Sequence, residues 1–310
     1  MTALRRACAD TARKGRPWSL SLEDRTLLVT AYWRTNLTMR QLAPLFGVSK
    51  SAADRIIDRL GPMLALRPRK RFAKDTVLIV DGTLVPTRDH TVDERSKNYR
   101  YSTNHQVVID ADTRLVVVVG RPLAGNRNDC KAWEESGAKA AVGKTLTIAD
   151  GGYPGTGLVI PHRRERGQTE LPDWKEEHNT SHKQVRARIE HVFARMKTWK
   201  ILRDCRLKGD GVHHAMLGIA RIHNLASPDR PAGCTTTEHG RGDSEIIYGT
   251  TLSAARREWT SAAPIPGRAF PGPSGRPGPT GSPGRNRRGI AGSTGSGRRS
   301  AARSHTGSSE

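Results

Sequence analysis

Apolar residues recur with helical spacing in three successive segments near the start of the chain. The first segment spans residues 20–34, where Ser21 is a predicted helix cap and Asp24 follows it at capping-box spacing. Thr38 and Ser49 are the predicted caps of the second and third segments. The apolar stripes are formed by Leu27, Leu28, Ala31 and Tyr32, then by Leu42, Ala43 and Leu45, and then by Ala52, Ala53, Ile56, Ile57 and Leu60. The pattern predicts three short helices.

The connection between the second and third predicted helices has the spacing of a helix-turn-helix. Ala43 is small, Gly47 tolerates the positive φ of a tight turn, and Val48 follows, so the two helices can cross closely. Pro44 departs from the pattern because it removes one hydrogen bond from the second helix. The surface offered to a DNA major groove is Lys50, Ser51, Asp54, Arg55 and Arg59. Residues 18–66 are therefore interpreted as a DNA-binding domain, with an ordinary helical hairpin as the alternative.

The pattern changes after residue 75 to a mixture of short apolar runs and helical stripes. Residues 76–80 are β-branched and apolar, and they predict a strand that ends at Asp81. A hairpin turn is predicted at residues 110–113. The other predicted elements are strands over 106–109, 114–119 and 145–149, and helices over 128–141 and 182–200.

Acidic residues end two of these strands and a third acid lies on the last helix. Asp81 follows the first strand, Asp150 follows the strand over 145–149, and Glu190 lies in the helix. An acid at the end of a buried strand is costly unless it is paired or binds a cation. Two aspartates and a glutamate supply the oxygen ligands of a two-Mg²⁺ phosphodiester site. The alternative for Asp81 is a turn-forming Asp-Gly pair.

Two cations share the helix face that carries Glu190. Arg186 precedes it by four residues and Lys197 follows it by seven, so the helical period places all three on one stripe. Such a stripe could hold a DNA backbone beside the acids. The alternative is intrahelical salt bridging on a solvated face.

Charge strengthens the nucleic-acid interpretation. The 310 residues contain 52 Lys and Arg against 30 Asp and Glu, a formal net charge of +22. This excess indicates a polyanionic partner. Arg69, Lys70 and Arg71 belong to a basic linker, residues 67–75, that is expected to lie over phosphates. A solvated connector is the alternative.

Residues 227–310 differ from the rest of the chain in composition. They contain 12 arginines, six acidic residues and no lysine, a net +6 that leaves +16 for residues 1–226. Only six of them are Leu, Ile, Val or Phe. So little apolar surface cannot offset an ordering cost of about 1–2 kcal/mol per residue. The segment is predicted to be disordered, and residues 1–17 are predicted to be a flexible basic segment.

Several protein classes are excluded by the same sequence. No run of about 18 apolar residues is present, which excludes a transmembrane helix. The polar start of the chain lacks the apolar core of a secretory signal. The four cysteines form no CxxC pair, which excludes a disulfide scaffold and a zinc ribbon and fits a reducing cytosol.

Three motifs resemble those of DDE transposases of bacterial insertion sequences, in the insertion-sequence-five group related to the eukaryotic Harbinger-type nucleases. Residues 80–83 resemble the first-aspartate motif. Residues 148–153 resemble the second, although Gly151 stands where lysine is more usual. Residues 186–197 resemble the third-acid signature, arginine-x3-glutamate-x6-lysine, and Lys183 replaces a tyrosine often found just before it. The motifs occur in the family's order after the helix-turn-helix.

The resemblance implies that residues 76–226 form an RNase H-like α/β domain, a mixed sheet flanked by helices. It implies cleavage at the ends of a mobile element with two Mg²⁺ or Mn²⁺ ions, and then attack of the freed 3′-hydroxyl on target DNA. Asp81 and Asp150 would hold the metals and Glu190 would complete the site. Asp129 is the alternative for the second acid, but Asp150 is preferred because it directly ends a buried apolar strand.

The same resemblance implies double-stranded DNA as the partner, both at the element's terminal inverted repeats and at the target. It implies a homo-oligomer, because two ends must be brought together. No small-molecule cofactor and no membrane partner is expected, and the expected location is the bacterial cytoplasm, at the nucleoid. Two other functions stay open: a DNA-binding protein without catalysis, such as a regulator or domesticated transposase, and a host nuclease without strand transfer.

Overall fold

A computed structural model describes residues 17–95 and 100–227 of the chain. Residues 1–16, where the flexible segment was predicted, and residues 228–310, where the disordered tail was predicted, lie outside the described residues, as do residues 96–99. Within the described ranges, no helix combines the length and the apolar character needed to cross a membrane.

Three short helices form where the helical spacing predicts them. The predicted caps are in place: Ser21 Oγ accepts from the backbone N–H of Asp24 at 3.0 Å, and Ser49 Oγ accepts from that of Ala52 at 3.2 Å. Gly47 has φ of +61° in the turn, the left-handed conformation that favours glycine. The helices are α1 (Leu22–Thr35), α2 (Met39–Leu45) and α3 (Lys50–Leu64).

Two leucines of the predicted stripes are not buried, and for these the prediction was wrong. Leu27 is 58% exposed and Leu45 is 70% exposed. α1 packs against both α3 and a later short 3₁₀ helix, and Leu27 lies outside the side of α1 that makes these contacts. Leu45 is the last residue of α2 and lies beyond its packed face. The buried residues of α1 include Leu28, Val29, Tyr32 and Trp33.

A six-stranded mixed sheet follows the three helices, in agreement with the predicted fold class. The strands are β1 (Leu78–Pro86), β2 (Glu94–Arg95), β3 (Tyr101–Asp110), β4 (Val116–Val119), β5 (Leu123–Ala124) and β6 (Thr147–Ile148). β3 pairs antiparallel with β1, β2, β4 and β5, whereas β1 pairs in parallel with β6. The predicted hairpin turn between β3 and β4 forms, with Asp110 Oδ1 accepting from the N–H of Asp112 at 3.0 Å.

Helices cover both faces of this sheet. They are α4 (Asp129–Glu135), α5 (Ala138–Val142), α6 (Asp173–Met196) and α7 (Gly211–Ala226), with a 3₁₀ helix at Lys200–Leu202 between the last two. On one face, α4 and α5 cover Leu78, Val80, Val108 and Tyr153. On the other face, α6 and α7 cover Ile79, Val107, Ile109 and Ile148.

Asp81 lies in the middle of β1 and not at the end of a strand as predicted. β1 continues to Pro86 because its pairing with β3 continues, as far as Pro86 opposite Ser102. Leu84 and Val85 extend the strand beyond the polar interruption. The hydrophobic run ends at Val80, but the backbone hydrogen bonding does not.

Other elements also differ from their predicted bounds. The strand predicted over 106–109 spans Tyr101–Asp110, and the strand predicted over 114–119 spans Val116–Val119. The predicted helix over 128–141 is two helices, because Gly137 has φ of +80° between them. The predicted strand over 145–149 is only Thr147–Ile148. The helix predicted over 182–200 spans Asp173–Met196. Its first turns are polar and carry no apolar stripe, so the pattern did not reveal its first nine residues.

The helix-turn-helix packs directly on the sheet domain, and one hydrophobic core runs through both. The ring of Trp33 on α1 is 1% exposed and lies against Gly218 on α7. Polar contacts join the same parts: the Leu66 N–H donates to Leu217 O at 3.1 Å, and Asn36 Nδ2 donates to the Asp204 carbonyl at 2.7 Å. The contacts fix the orientation of the helix-turn-helix on the sheet domain.

Candidate active site

The three predicted acids come together at one face of the sheet. β1 and β6 are parallel, with Ile79 opposite Ile148. The same register continued for two residues brings Asp81 level with Asp150, and side chains two residues apart point to the same face of a sheet. Glu190 lies on α6, which packs on that face through buried neighbours such as Ile189.

Arg186 connects two of the three acids. Its Nη2 atom lies 2.8 Å from Asp81 Oδ2 and 3.1 Å from Glu190 Oε1. The pair Arg186 and Glu190 is spaced i, i+4 on α6, as the helical period predicts. Arg186 was predicted to contact DNA. In the structure, its guanidinium contacts Asp81 and Glu190.

Electrostatics indicates that the cluster is short of positive charge. Burial raises the pKa of Asp81 to about 6; Arg186 opposes the shift, and Asp150 and Glu190 increase it. Asp81 Oδ1 accepts from the N–H of Gly82 at 2.8 Å, which also favours the charged form. Like charges held this close are stabilised by a cation between them.

The donor set fits a divalent cation by its chemistry. Carboxylate oxygens are the ligands that Mg²⁺ prefers, and Asp150 and Glu190 lie close enough to Asp81 to raise its pKa. In the described ranges, no three His, Cys, Asp or Glu side chains are grouped closely enough to hold a metal ion as they stand. Arg186 supplies the positive charge beside two of the acids.

Asp129, the alternative second acid, lies on the opposite face of β1. Its Oδ1 accepts from Asn104 Nδ2 at 3.2 Å and from Gln106 Nε2 at 3.4 Å. Gln106 Oε1 in turn accepts from the hydroxyl of Tyr153 at 2.6 Å. Asn104 and Gln106 were not singled out from the sequence, and Tyr153 was noted only as part of the motif over residues 148–153. Polar residues at alternate positions, 104 and 106, were the available signal.

Comparisons with known proteins agree with this architecture. A family model described as "Transposase DDE domain" matches residues 72–225, and one described as "Helix-turn-helix of DDE superfamily endonuclease" matches residues 18–70. A Streptomyces albus G protein named "Putative transposase for insertion sequence element IS112" is 92% identical over 226 residues, which are 73% of this chain and 88% of that protein. The chain belongs to the DDE transposase family.

A more distant relative extends the likeness. A protein of Microchaete diplosiphon named "Probable transposase for insertion sequence element IS702" is 26% identical over 216 residues, which cover 63% of this chain and 77% of that protein. The transposase described here therefore combines a helix-turn-helix with a DDE domain, as the motif order predicts.

The exposed face of α3 carries the predicted major-groove residues of this transposase. They are exposed, while Ala53, Ile56 and Leu60 on the opposite face are buried. The helix-turn-helix implies DNA binding. The exposed residues are Lys50, Ser51, Arg55 and Arg59.

The remaining predicted DNA contacts have different environments. Arg69 Nη1 lies 3.4 Å from Asp110 Oδ2, so its charge is partly committed within the protein. Lys70 and Arg71 are exposed on the linker. Lys197 is exposed at the end of α6, with its Nζ 5.7 Å from the centroid of the Phe193 ring.

A second basic segment was not singled out from the sequence. It runs from Lys197 to Lys208, between α6 and α7, and it holds five cations against the single acid Asp204. Arg34 of α1 reaches it, because its guanidinium donates to Thr198 and lies 5.4 Å from the Trp199 ring centroid. The segment thus joins the helix that carries Glu190 to the helix-turn-helix, and counting charge along the chain would have found it.

Proposed function

We propose that this transposase binds the terminal inverted repeats of its insertion sequence and cuts the DNA at their ends. The freed 3′-hydroxyl is then transferred to target DNA. The observation that carries the proposal is the convergence of Asp81, Asp150 and Glu190, from three separate elements, beside Arg186. An acidic cluster retained in a chain of net charge +22 fits cleavage of a polyanion better than simple coating of it.

Each acid has a distinct place in this proposal. Asp81 and Asp150 would hold Mg²⁺ or Mn²⁺, and Glu190 on α6 would complete the site. Two such ions, when bound, activate the attacking oxygen and stabilise the leaving one. When no metal ion is bound, Arg186 holds Asp81 and Glu190 close to one another. In the complex it would donate a hydrogen bond to a phosphate oxygen.

DNA binding is assigned to three surfaces. The face of α3 reads the repeat, the linker residues Arg69, Lys70 and Arg71 lie over the backbone, and Lys197 contacts the strand near the acids. Synapsis of two ends calls for a homo-oligomer. Placement in the insertion-sequence-five group, in the bacterial cytoplasm at the nucleoid, belongs to the same proposal.

The test is cleavage of a DNA fragment that carries the terminal repeats, with Mg²⁺ present. Asp81→Asn, Asp150→Asn and Glu190→Gln should each lower the rate by at least about a hundredfold while repeat binding changes little. Glu177→Gln is the matched control, because Glu177 is an exposed acid on the same helix.

Two outcomes would select the other functions. If the wild type and the three variants bound DNA equally and were all inert, the chain would be a DNA-binding protein without catalysis. If cut ends accumulated and joined products never formed, it would be a nuclease without strand transfer.

A further inference from the structure

Three buried polar side chains lie under the candidate site, on the α4 face of the sheet. Gln106 is fully buried, Tyr153 is 1% exposed and Asn104 is 4% exposed. Their hydrogen bonds lead to one atom, Asp129 Oδ1, directly from Asn104 and Gln106 and through Gln106 from Tyr153. Buried polar groups are costly unless they are satisfied, so this arrangement is a specific feature of the fold.

Asp129 lies between the two segments that carry the site's aspartates. On one side, a Cβ built on Gly82 would be 2.4 Å from Asp129 Oδ1, so the carboxylate occupies the space of a missing side chain on β1. On the other side, a Cβ built on Gly152 would be 3.6 Å from Asp129 Oδ2. Gly82 follows Asp81, and the Gly152 N–H donates to Asp150 Oδ1 at 2.7 Å.

The backbone that carries Asp129 is itself held in place. Asn128 caps α4 by accepting from the N–H of Lys131 at 2.9 Å. Asn104 Nδ2 also donates to the carbonyl of Arg127 at 3.2 Å. The position of the Asp129 carboxylate is therefore set by β3 and by the start of α4.

Tyr153 lies near the aspartates of both faces. Its pKa is raised first by burial and then by Asp129, Asp81 and Asp150. The hydroxyl of Tyr153 consequently stays protonated and serves as the donor to Gln106.

We infer that Asp129 is a positioning residue and not a second acid of the cluster. Together with Gln106 and Tyr153, it holds the turn of residues 150–153 against β1, so that Asp150 stays beside Asp81. The inference rests on the proposed function, in which these two aspartates act together. A misplacement of about 1 Å at a reacting centre costs about a hundredfold in rate, so such a support has a measurable effect.

The chemical difference between a carboxylate and an amide separates positioning from metal binding. Asparagine at position 129 keeps an oxygen that accepts from Asn104 and Gln106, but it loses the charge. We expect Asp129→Leu to lower cleavage by about a hundredfold. Asp129→Asn should restore the rate to within about fivefold of the wild type, although Asp81→Asn stays inert.

Tyr153→Phe tests the far end of the network with almost no change of shape. We expect the cleavage rate to fall about tenfold. Gln106 would lose the hydrogen bond from the Tyr153 hydroxyl, and the turn of residues 150–153 would lose its contact with β3. Tyr101→Phe is the matched control, because Tyr101 is 41% exposed on the same sheet and far from the turn along β3. Circular dichroism and thermal melting of each variant separate a local effect from loss of the fold.

A readout other than activity keeps this inference distinct from the proposed function. Mn²⁺ binding to the full chain, followed by electron paramagnetic resonance, should weaken about tenfold in Tyr153→Phe and Asp129→Leu and recover in Asp129→Asn. If the wild type bound Mn²⁺ with this pattern and cut no DNA, the proposed function would fail and the positioning role would stand. Equal losses in Asp129→Asn and Asp129→Leu, or an unchanged Tyr153→Phe, would overturn the positioning role.

Discussion

His105 illustrates how one buried residue sets a pH limit on the fold. Its side chain is fully buried on β3, and its Nε2 lies 3.0 Å from Thr103 Oγ1. The ring of His213 on α7 lies 6.4 Å away, centroid to centroid. Burial, and then His213, lower the pKa of His105 to about 3. Burial, and then His214, lower that of His213 to about 4.

We predict that the free energy of unfolding falls as the pH drops below about 6.5, the ordinary pKa of histidine. The unfolded chain then binds protons that the folded chain does not, down to a pH of about 3 for His105. At pH 5 this single group should cost about 2 kcal/mol relative to pH 7. Urea unfolding of wild type and His105→Gln at both pH values measures the difference.

In His105→Gln, the difference in the free energy of unfolding between pH 7 and pH 5 should be about 2 kcal/mol smaller than in the wild type. His191→Gln is the control, because His191 is exposed, and it should keep the wild-type dependence. A wild-type pH dependence in His105→Gln would show that His105 is not responsible.

Single residues also show where sequence reasoning ends. Asp81, Asp150 and Glu190 were predicted from acids that interrupt apolar patterns, and the fold brings them together. The role of Asp129 was left open because its partners, Gln106 and Tyr153, lie 23 and 24 residues away along the chain. Only the register of β1 and β3 places Gly82 opposite Gln106 and leaves space for that carboxylate.

At the scale of elements, apolar periodicity predicted which elements exist better than where they end. α3 was predicted well because its buried stripe continues along most of its length. The first nine residues of α6 were not predicted, because its first turns are polar and are held by side-chain contacts. One such contact is Asn179, which exchanges two hydrogen bonds with the backbone of His162, at 2.8 and 3.0 Å. Tertiary partners of this kind leave no periodic signal.

Helix packing between α1, α3 and α7 gives a prediction for two glycines that contact the same ring. A Cβ on Gly218 would lie 2.2 Å from Trp33 Cζ3, whereas a Cβ on Gly61 would lie 3.8 Å from Trp33 Cζ2. Gly218→Ala should therefore lower the free energy of unfolding by about 1–3 kcal/mol, because the added methyl group overpacks the helix interface. The higher helix propensity of alanine offsets part of this loss. Urea unfolding measures both variants.

Gly61→Ala is the matched control for that substitution. It introduces the same methyl group on a helix against the same tryptophan, at an ordinary contact distance. It should leave stability unchanged or raise it by up to about 1 kcal/mol, from helix propensity. Equal effects of the two substitutions would mean that α7 does not approach Trp33 as closely as the structure places it.

At the scale of the whole molecule, exposed cations are concentrated on three parts of the structure. Cations lie on the outer face of α3, on the linker, and along the segment from Lys197 to Lys208. That segment reaches α1 through Arg34 and Asn36, so it bridges the helix-turn-helix and the helix of Glu190. The net charge alone predicted a polyanionic partner, and the fold adds a basic segment that connects the helix-turn-helix to the helix of Glu190.

The same contacts predict a fixed distance between the bound repeat and the cut. The helix-turn-helix shares a core with the sheet domain, so DNA bound on α3 as proposed would reach the acids in one rotational setting. Five base pairs inserted between the bound sequence and the terminus move the terminus by about 17 Å and half a helical turn. Cleavage at the original terminus should fall at least about tenfold. The remaining cuts should lie at the original distance from the bound sequence.

Mapping the 3′ ends of the products measures the position of the cuts. The control is a DNA in which five base pairs at the same place are replaced and none is inserted. Efficient cutting at the displaced terminus would instead show that the helix-turn-helix moves independently of the sheet domain when DNA is bound.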